Sequence, residues 1–566
     1  MRSSYGLAIA FPFLAVANDL PVVDLGYARH RAIGVNETGD YYNFTNIRYG
    51  QAPVGDLRWA EPKAPLNISS SANLTVFDGS EQGGNCPQTF PCWFQIQTAF
   101  TEAYLAGEEF DFDKTYAEVY ADGVCSKPVP EDERLPFETE DCLFLDVFAP
   151  RSIFDKASNA SSTGAPVLVY IFGGGYSGGS KSNFGYFDGS PAGLIDSSRV
   201  TSPDGLIYVA INYRLGALGF MFGSDYASQG GIVNAGLYDQ RLALQWVQQN
   251  IHLFGGDPNR VTVMGESAGG GSILMQMTAF GTGEKAPFQQ VITQSAAWEP
   301  SSAGPALQNQ LFGHWLDLLN VSTLAEARQL PTREIIDANH IILSSADYGS
   351  VFLGPVVDGV FVPDDPKRLL RDGRVDTSLK LLTTVASNEG LRFAPANITS
   401  EADFVQFVDL FLDGANQSVR DHVLQNVYPP VFDGSLPYED QLQRAGLFWA
   451  ELVSTCNAQY MHSAMAQPGY ANLFDVWPAL HQGDVPYVFW NGPLTHSSVN
   501  GSVARVIQDY ITAFAITGDP NNSESPELPV YDLKSTLGMT ASGYGVVADP
   551  TINERCAYWH DATYQP

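Results

Sequence analysis

Between residues 167 and 295 the chain alternates continuous apolar runs with segments of helical spacing. Residues 167–172, Val-Leu-Val-Tyr-Ile-Phe, are apolar at every position, as in a parallel strand covered on both faces. Residues 206–213 read as a second such strand. Residues 237–251 instead carry Leu242, Trp246 and Ile251 on one stripe, the spacing of a helix. The β-branched run 261–264 reads as a short buried strand, and the Met/Leu-rich run 272–280 as a helix. Two further strands are expected at 380–385 and 471–476. Strands and helices in alternation argue for a doubly wound α/β sheet. Ahead of it, residues 22–50 mix Gly, Asn and Thr with short β-branched runs and read as an antiparallel meander. Residues 47–59 come next as an irregular loop pinned by Pro53 and Gly55. A prior of about 150 residues per domain gives three or four domains for 566 residues. No internal repeat, low-complexity tract or Pro/Ser linker divides the chain, so residues 18–566 read as a single domain.

The first 17 residues have the pattern of a secretory signal. Arg2 gives a positive start, residues 7–17 are apolar, and Ala15-Val16-Ala17 is a small-x-small cleavage site, so the mature chain is expected to begin at Asn18. No later stretch reaches the 18 or so apolar residues that a membrane span needs, and residues 554–566 are polar, with no lipid-anchor tail. Six cysteines fit an oxidising compartment. So do the sequons at Asn36, Asn43, Asn67, Asn73, Asn159, Asn320, Asn397, Asn416, Asn500 and Asn521. The localisation expected is therefore extracellular. A net charge of −32, from 62 acidic and 30 basic residues, argues against nucleic acid or an anionic membrane as a partner.

Chemistry concentrates first at Gly265-Glu266-Ser267-Ala268-Gly269, a G-x-S-x-G between the 261–264 strand and the helix after it. Strand, sharp turn and helix are the setting of a nucleophile elbow, with Ser267 as nucleophile. A serine hydroxyl needs a base, usually His, and the base needs a carboxylate to fix its tautomer. The order along the chain in enzymes built this way is Ser, acid, His. The later histidines are His422, His462, His481, His496 and His560. His481 is favoured because it lies in a loop after a strand, between Pro478 and Gly483. His462 lies in a run of helical character, and His496 and His560 fall in polar loops. Glu389, after the 380–385 strand and before Gly390, is favoured as the acid. Its rival, Asp358, sits in an Asp-Gly pair that reads as a hairpin turn. Oxyanion donors are expected at the Ala268 amide and in the Gly-rich turn after residue 172, at Gly174 and Gly175. No step of this chemistry needs a metal or cofactor.

Residues 86–142 hold four of the cysteines, Cys86, Cys92, Cys125 and Cys142, together with ten Phe, Tyr and Trp residues. Two readings stand side by side: a mobile lid over a pocket, or a satellite core of helices stapled by disulfides.

These stretches resemble the type-B carboxylesterase, or cholinesterase/lipase, family, and most of all its secreted fungal lipases. The matching motifs include Glu140-Asp-Cys-Leu-Phe-Leu-Asp-Val147, Phe172-Gly-Gly-Gly175, Asn212-Tyr-Arg-Leu-Gly216, Phe254-Gly-Gly-Asp-Pro258, the Ser267 elbow and Pro355-Val-Val-Asp-Gly359. They occur in the family's order and run from about Tyr42 to Phe489. The resemblance implies an α/β-hydrolase fold, a Ser267–His481–Glu389 triad and an oxyanion hole at Gly174, Gly175 and Ala268. It also implies a Cys86–Cys142 disulfide around the aromatic loop. Cys92–Cys125 and Cys456–Cys556 are hypotheses beside it. The Trp that cholinesterases carry shortly before the second Cys of that loop is missing from 135–141, which argues against a choline site. The expected protein is a secreted, cofactor-free serine ester hydrolase, a lipase or broad carboxylesterase acting on esters with apolar acyl chains, with an oil–water interface as one setting. A non-catalytic adhesion protein on the same scaffold and an acyltransferase are the alternatives. Alcohol specificity and oligomeric state have no signature in the chain.

Overall fold

The computed structural model describes residues 20–561, except 67–75, 81–83, 135–136, 158–163, 185–186, 282–284, 299–304, 350–352, 413 and 494–497. The signal segment 1–17, Asn67, Asn73, Asn159 and His496 lie outside the described residues.

An eleven-stranded sheet carries the fold. In chain order its strands are β1 (Gly34–Asn36), β2 (Tyr41–Arg48), β3 (Phe144–Pro150), β4 (Ala165–Ile171), β5 (Ile207–Ile211), β6 (Gly256–Glu266), β7 (Gln290–Gln294), β8 (Lys380–Ala386), β9 (Tyr470–Phe474), β10 (Ser535–Thr540) and β11 (Gly543–Ala548). Across the sheet they run β11-β10-β9-β8-β7-β6-β4-β5-β3-β2-β1. From β5 through β10 every pairing is parallel, and both margins are antiparallel. This is the α/β sheet that the alternating pattern predicts.

The helices that matter for the site are α1 (Trp93–Ala106), α2 (Phe112–Val119), α3 (Ala235–Asn250), α4 (Ala268–Thr278), α5 (Thr455–Ala464), α6 (Gly501–Thr517) and α7 (Glu554–Asp561). Residues 261–266 of β6 are all buried, so both faces of the strand are covered. One face meets α6, where the Thr262 hydroxyl donates to the Ala515 carbonyl at 3.5 Å. The other meets α4, where Gly265 lies against Gly269. Removing a Val, Leu or Ile side chain fully from water stabilises by about 1.5–3 kcal/mol, so this doubly covered strand anchors the turn at its C-terminal end. The ends of α6 obey local rules. Asn500 caps it, its Oδ1 accepting from the Ser502 and Val503 amides, and Gly518 ends it at φ 77°.

Two local expectations are corrected. Residues 22–50 do not form one meander. Val22–Asp24 and Arg29–Arg31 pair in a separate three-stranded sheet with Val76–Phe77, while β1 and β2 join the main sheet through β3. Pairing with a strand about a hundred residues away decides that division, and local periodicity does not encode it. Asp358–Gly359 makes a turn without flanking strands. The Asp358 carboxylate accepts from the Val360 and Val362 amides and from Asn234 Nδ2, which satisfies the turn without a ladder.

The aromatic loop contains α1 and α2. The structure pairs Cys86 with Cys142, Cys92 with Cys125 and Cys456 with Cys556. The last bond joins α5 to α7 across a sequence separation of 100. Closing a loop of that length removes a large share of the unfolded chain's freedom. Replacing both Cys456 and Cys556 by Ser is expected to cost about 2–5 kcal/mol, read as a lower thermal midpoint by scanning calorimetry.

Candidate active site

β6 ends in a turn that only small residues permit. Ser267 holds φ 56° and ψ −125°, a region an L side chain reaches only under constraint. A Cβ on Gly265 would lie 2.6 Å from the Gly269 carbonyl carbon, and one on Gly269 would lie 2.1 Å from the Ile171 oxygen on β4. The two glycines flanking the serine are thus required by contact as well as by turn geometry. Ser267 sits between the end of β6 and the start of α4, with its amide bonded to the Gln294 carbonyl of β7 and its carbonyl accepting from Ala297.

The neighbouring strands bring the other two side chains. Glu389 comes after β8 in a short helical turn, Glu389–Arg392, and His481 lies in the loop after β9. β8 and β9 are adjacent and parallel, and a bridge between Asn388 and Leu480 extends their pairing into the two loops. The carboxylate and the imidazole therefore arrive side by side although 92 residues separate them. His481 Nδ1 is hydrogen-bonded to Glu389 Oε2, and His481 Nε2 lies 2.7 Å from Ser267 Oγ. A carboxylate oxygen accepts, so Nδ1 carries the proton and Nε2 accepts from the serine hydroxyl. Glu389 Oε1 accepts from the Ala386 amide at 2.8 Å, which fixes the carboxylate's orientation. All three residues are buried. Phe393 and Trp449 stack on each other at 3.7 Å, and both stand edge-on to the imidazole.

The Gly-rich turn after β4 reaches the same place. A Cβ on Gly173 would sit 2.9 Å from Ser267 Cβ, and one on Gly174 would sit 2.3 Å from the Gly178 carbonyl oxygen. Gly174 and Gly175 have φ of 96° and 62°, so glycine is needed at both for conformation, and at Gly174 also for space. Ala268 is the first residue of α4, where amides have no partner inside the helix.

The other candidates lie elsewhere. His462, on α5, is buried with Nε2 3.0 Å from Thr383 Oγ1, and burial lowers its pKa to about 3. His422 ends the helix Gln417–His422. His560, expected in a polar loop, is on α7 with its ring stacked on Tyr460 at 4.3 Å.

Two buried acids were not anticipated. Glu266 Oε1 lies 3.6 Å from His481 Nε2, and burial, then the neighbouring Asp484 and Glu389, push its carboxyl well above the usual range. Asp484, three residues after His481, accepts from Gln294 Nε2. Its Oδ1 has no protein partner among the described residues, and it lines a small cavity with Asn472, Thr384 and Tyr510. The signal for both was adjacency in sequence to the favoured serine and histidine.

The sheet, the elbow and the side chains gathered over it are the anatomy of an α/β-hydrolase. Residues 22–559 match the carboxylesterase family model, and the chain belongs to that family. It is 50% identical over 562 residues to carboxylesterase patB of Aspergillus clavatus, covering 99% of both chains. It is 48% identical over 553 residues to carboxylesterase patB of Penicillium expansum, covering 97% of each. Among solved structures, Aspergillus niger EstA has the same fold, with a TM-score of 0.73 at 24% identity over 96% of this chain and 98% of its own. The protein is a carboxylic ester hydrolase. Among the described residues no helix is long and apolar enough to cross a membrane.

Asp484 generates a prediction about stability. Burial raises its carboxyl from 3.8 to about 6. As pH rises, the unfolded chain ionises first, so the native state loses stability between about pH 4 and pH 6 and regains none above it. A shift of about two units corresponds to about 3 kcal/mol. Asp484→Asn keeps an oxygen for Gln294 and removes the charge. Its thermal midpoint is expected to exceed that of the parent at about pH 8 and to match it at about pH 4, measured by calorimetry at both.

Proposed function

We propose that this protein is a secreted serine carboxylesterase in which Ser267, His481 and Glu389 act as the triad and esters with apolar acyl groups are the substrates. The observation that carries the reading is the imidazole held between Glu389 and the hydroxyl of a serine on a strained elbow. Ser267 Oγ attacks the ester carbonyl as His481 Nε2 takes its proton, and Glu389 stabilises the imidazolium. The oxyanion is received by amides of Gly174, Gly175 and Ala268. Each such donor contributes about 2.7–4 kcal/mol to lowering the barrier. Collapse of the tetrahedral intermediate expels the alcohol, which takes the proton back from His481. Water then attacks the acyl-serine by the same route.

The apolar preference draws support from the Phe393–Trp449 pair beside His481 and from the aromatic helix α1. Secretion draws support from the signal pattern at 1–17 and from the three disulfides.

Ser267→Ala is expected to lower p-nitrophenyl ester hydrolysis by about 10⁴-fold or more, with an unchanged circular dichroism spectrum. Residual activity near that of the parent would defeat the assignment. Over a series of p-nitrophenyl esters, kcat/KM should rise from acetyl to longer acyl chains, and a flat or falling series would remove the acyl preference. Protein recovered from the medium of a secreting host should begin at Asn18 by N-terminal sequencing.

A further inference from the structure

The turn that carries Glu389 is held from outside the sheet by the disulfide-closed loop. Gln97 lies in the middle of α1 and is 1% exposed. A buried primary amide must find partners for both ends. Its Nε2 donates to the Leu391 carbonyl at 2.6 Å, and its Oε1 accepts from the Tyr348 hydroxyl at 2.7 Å. Leu391 is two residues beyond Glu389 in the same short turn. Within that turn the Gly390 carbonyl accepts from the Phe393 and Ala394 amides, and the Leu391 carbonyl is taken by Gln97.

The same turn grips the base. Arg392 Nη1 donates to the His481 carbonyl at 3.2 Å and to Gln482 Oε1 at 3.1 Å, and its guanidinium lies 5.3 Å over the ring of Phe94, again on α1. Trp93, one helical turn before Gln97, packs against both Tyr348 and Phe393. From behind, the turn has no room to retreat, because a Cβ on Gly390 would lie 1.8 Å from the Gly446 carbonyl oxygen. The start of α1 is tied by the Cys92–Cys125 bond and by the Cys92 amide, which donates to the Ser344 carbonyl at 3.1 Å.

We propose that Gln97 is a positioning residue for the Glu389–His481 pair, and that the disulfide-closed loop serves the reaction as a fixed strut. The inference rests on the triad reading. Gln97 touches neither substrate nor reacting atoms. It holds the carbonyl of the acid-bearing turn, and through that turn the angle at which the carboxylate meets the imidazole. A displacement of about 1 Å in such a constellation can cost about 10²-fold in rate.

Gln97→Met keeps the side chain's length and removes both hydrogen bonds. With p-nitrophenyl esters, the expected result is a fall in kcat of tenfold or more with KM within twofold of the parent. The rate at which a fluorophosphonate labels Ser267 should fall in parallel, with full labelling still reached. Unchanged kcat, or a rise in KM at constant kcat, would overturn the proposal and make the contact merely structural. Should Gln97→Met fail to fold, Tyr348→Phe decides. It frees one end of the amide and should lower kcat two- to fivefold at constant KM, and no change would overturn the proposal. Ser267→Ala separates the two readings. If that variant is inactive and unlabelled while Gln97→Met behaves as the parent, only the strut is lost. If it keeps parental activity, the triad assignment falls first.

Discussion

The structure depends on one short turn in which a serine is forced into a backbone conformation that its own side chain disfavours. A residue at φ 56° and ψ −125° costs about 1–3 kcal/mol and persists only where its surroundings leave no alternative. Here the surroundings are a strand buried on both faces, a helix that begins at the next residue, and two glycines whose missing side chains let backbone meet backbone. The Gly269 position abuts the Ile171 carbonyl on β4, and the Gly265 position abuts Gly269 itself. Strand and helix are thus packed too closely for the turn to relax. The large sheet supplies the rigidity, and the strain it maintains presents the hydroxyl at the sheet's edge.

Given a fixed hydroxyl, sheet order accounts for the meeting of the imidazole and the carboxylate. β8 and β9 are neighbours in space because the parallel crossovers place them so, and the loops after them stay in register through the Asn388–Leu480 bridge. Two groups 92 residues apart then need only short loops to meet. Each is fixed again by its own surroundings, the carboxylate by the Ala386 amide and the imidazole by the Phe393–Trp449 wall. The carboxyl of Glu266 lies next to the ring, its ionised form disfavoured by burial and by the acids near it.

What the sequence disclosed depends on which of these constraints are local. The elbow was legible because strand, G-x-S-x-G and helix are contiguous, and the glycines are demanded by contacts within a few residues or with one adjacent strand. His481 and Glu389 were legible as residues in loops after apolar strands, although nothing in the chain shows those strands to be neighbours. Residues 22–50 misled because β2 finds its partner in β3, far along the chain. His560 looked solvated because the ring it stacks on, Tyr460, belongs to another helix joined by a disulfide. Gln97 gave no signal at all. An amide in mid-helix is ordinarily a surface residue, and only the approach of the Leu391 carbonyl makes it anything else.

Lid and satellite core are both open readings of the aromatic loop, and its buried contacts favour the satellite core. A cover that lifts needs a boundary of few buried contacts, since opening must cost little. The loop instead inserts Trp93 and Gln97 between the Glu389 turn and Tyr348, lays Phe94 against Arg392, and adds a second disulfide inside the first. Lifting α1 would strip hydrogen bonds from a buried carbonyl and a buried amide together, each worth about 1–3 kcal/mol when left unmade. It would also withdraw support from the turn that holds Glu389. An opening movement of α1 would therefore loosen the turn beside the Glu389–His481 hydrogen bond.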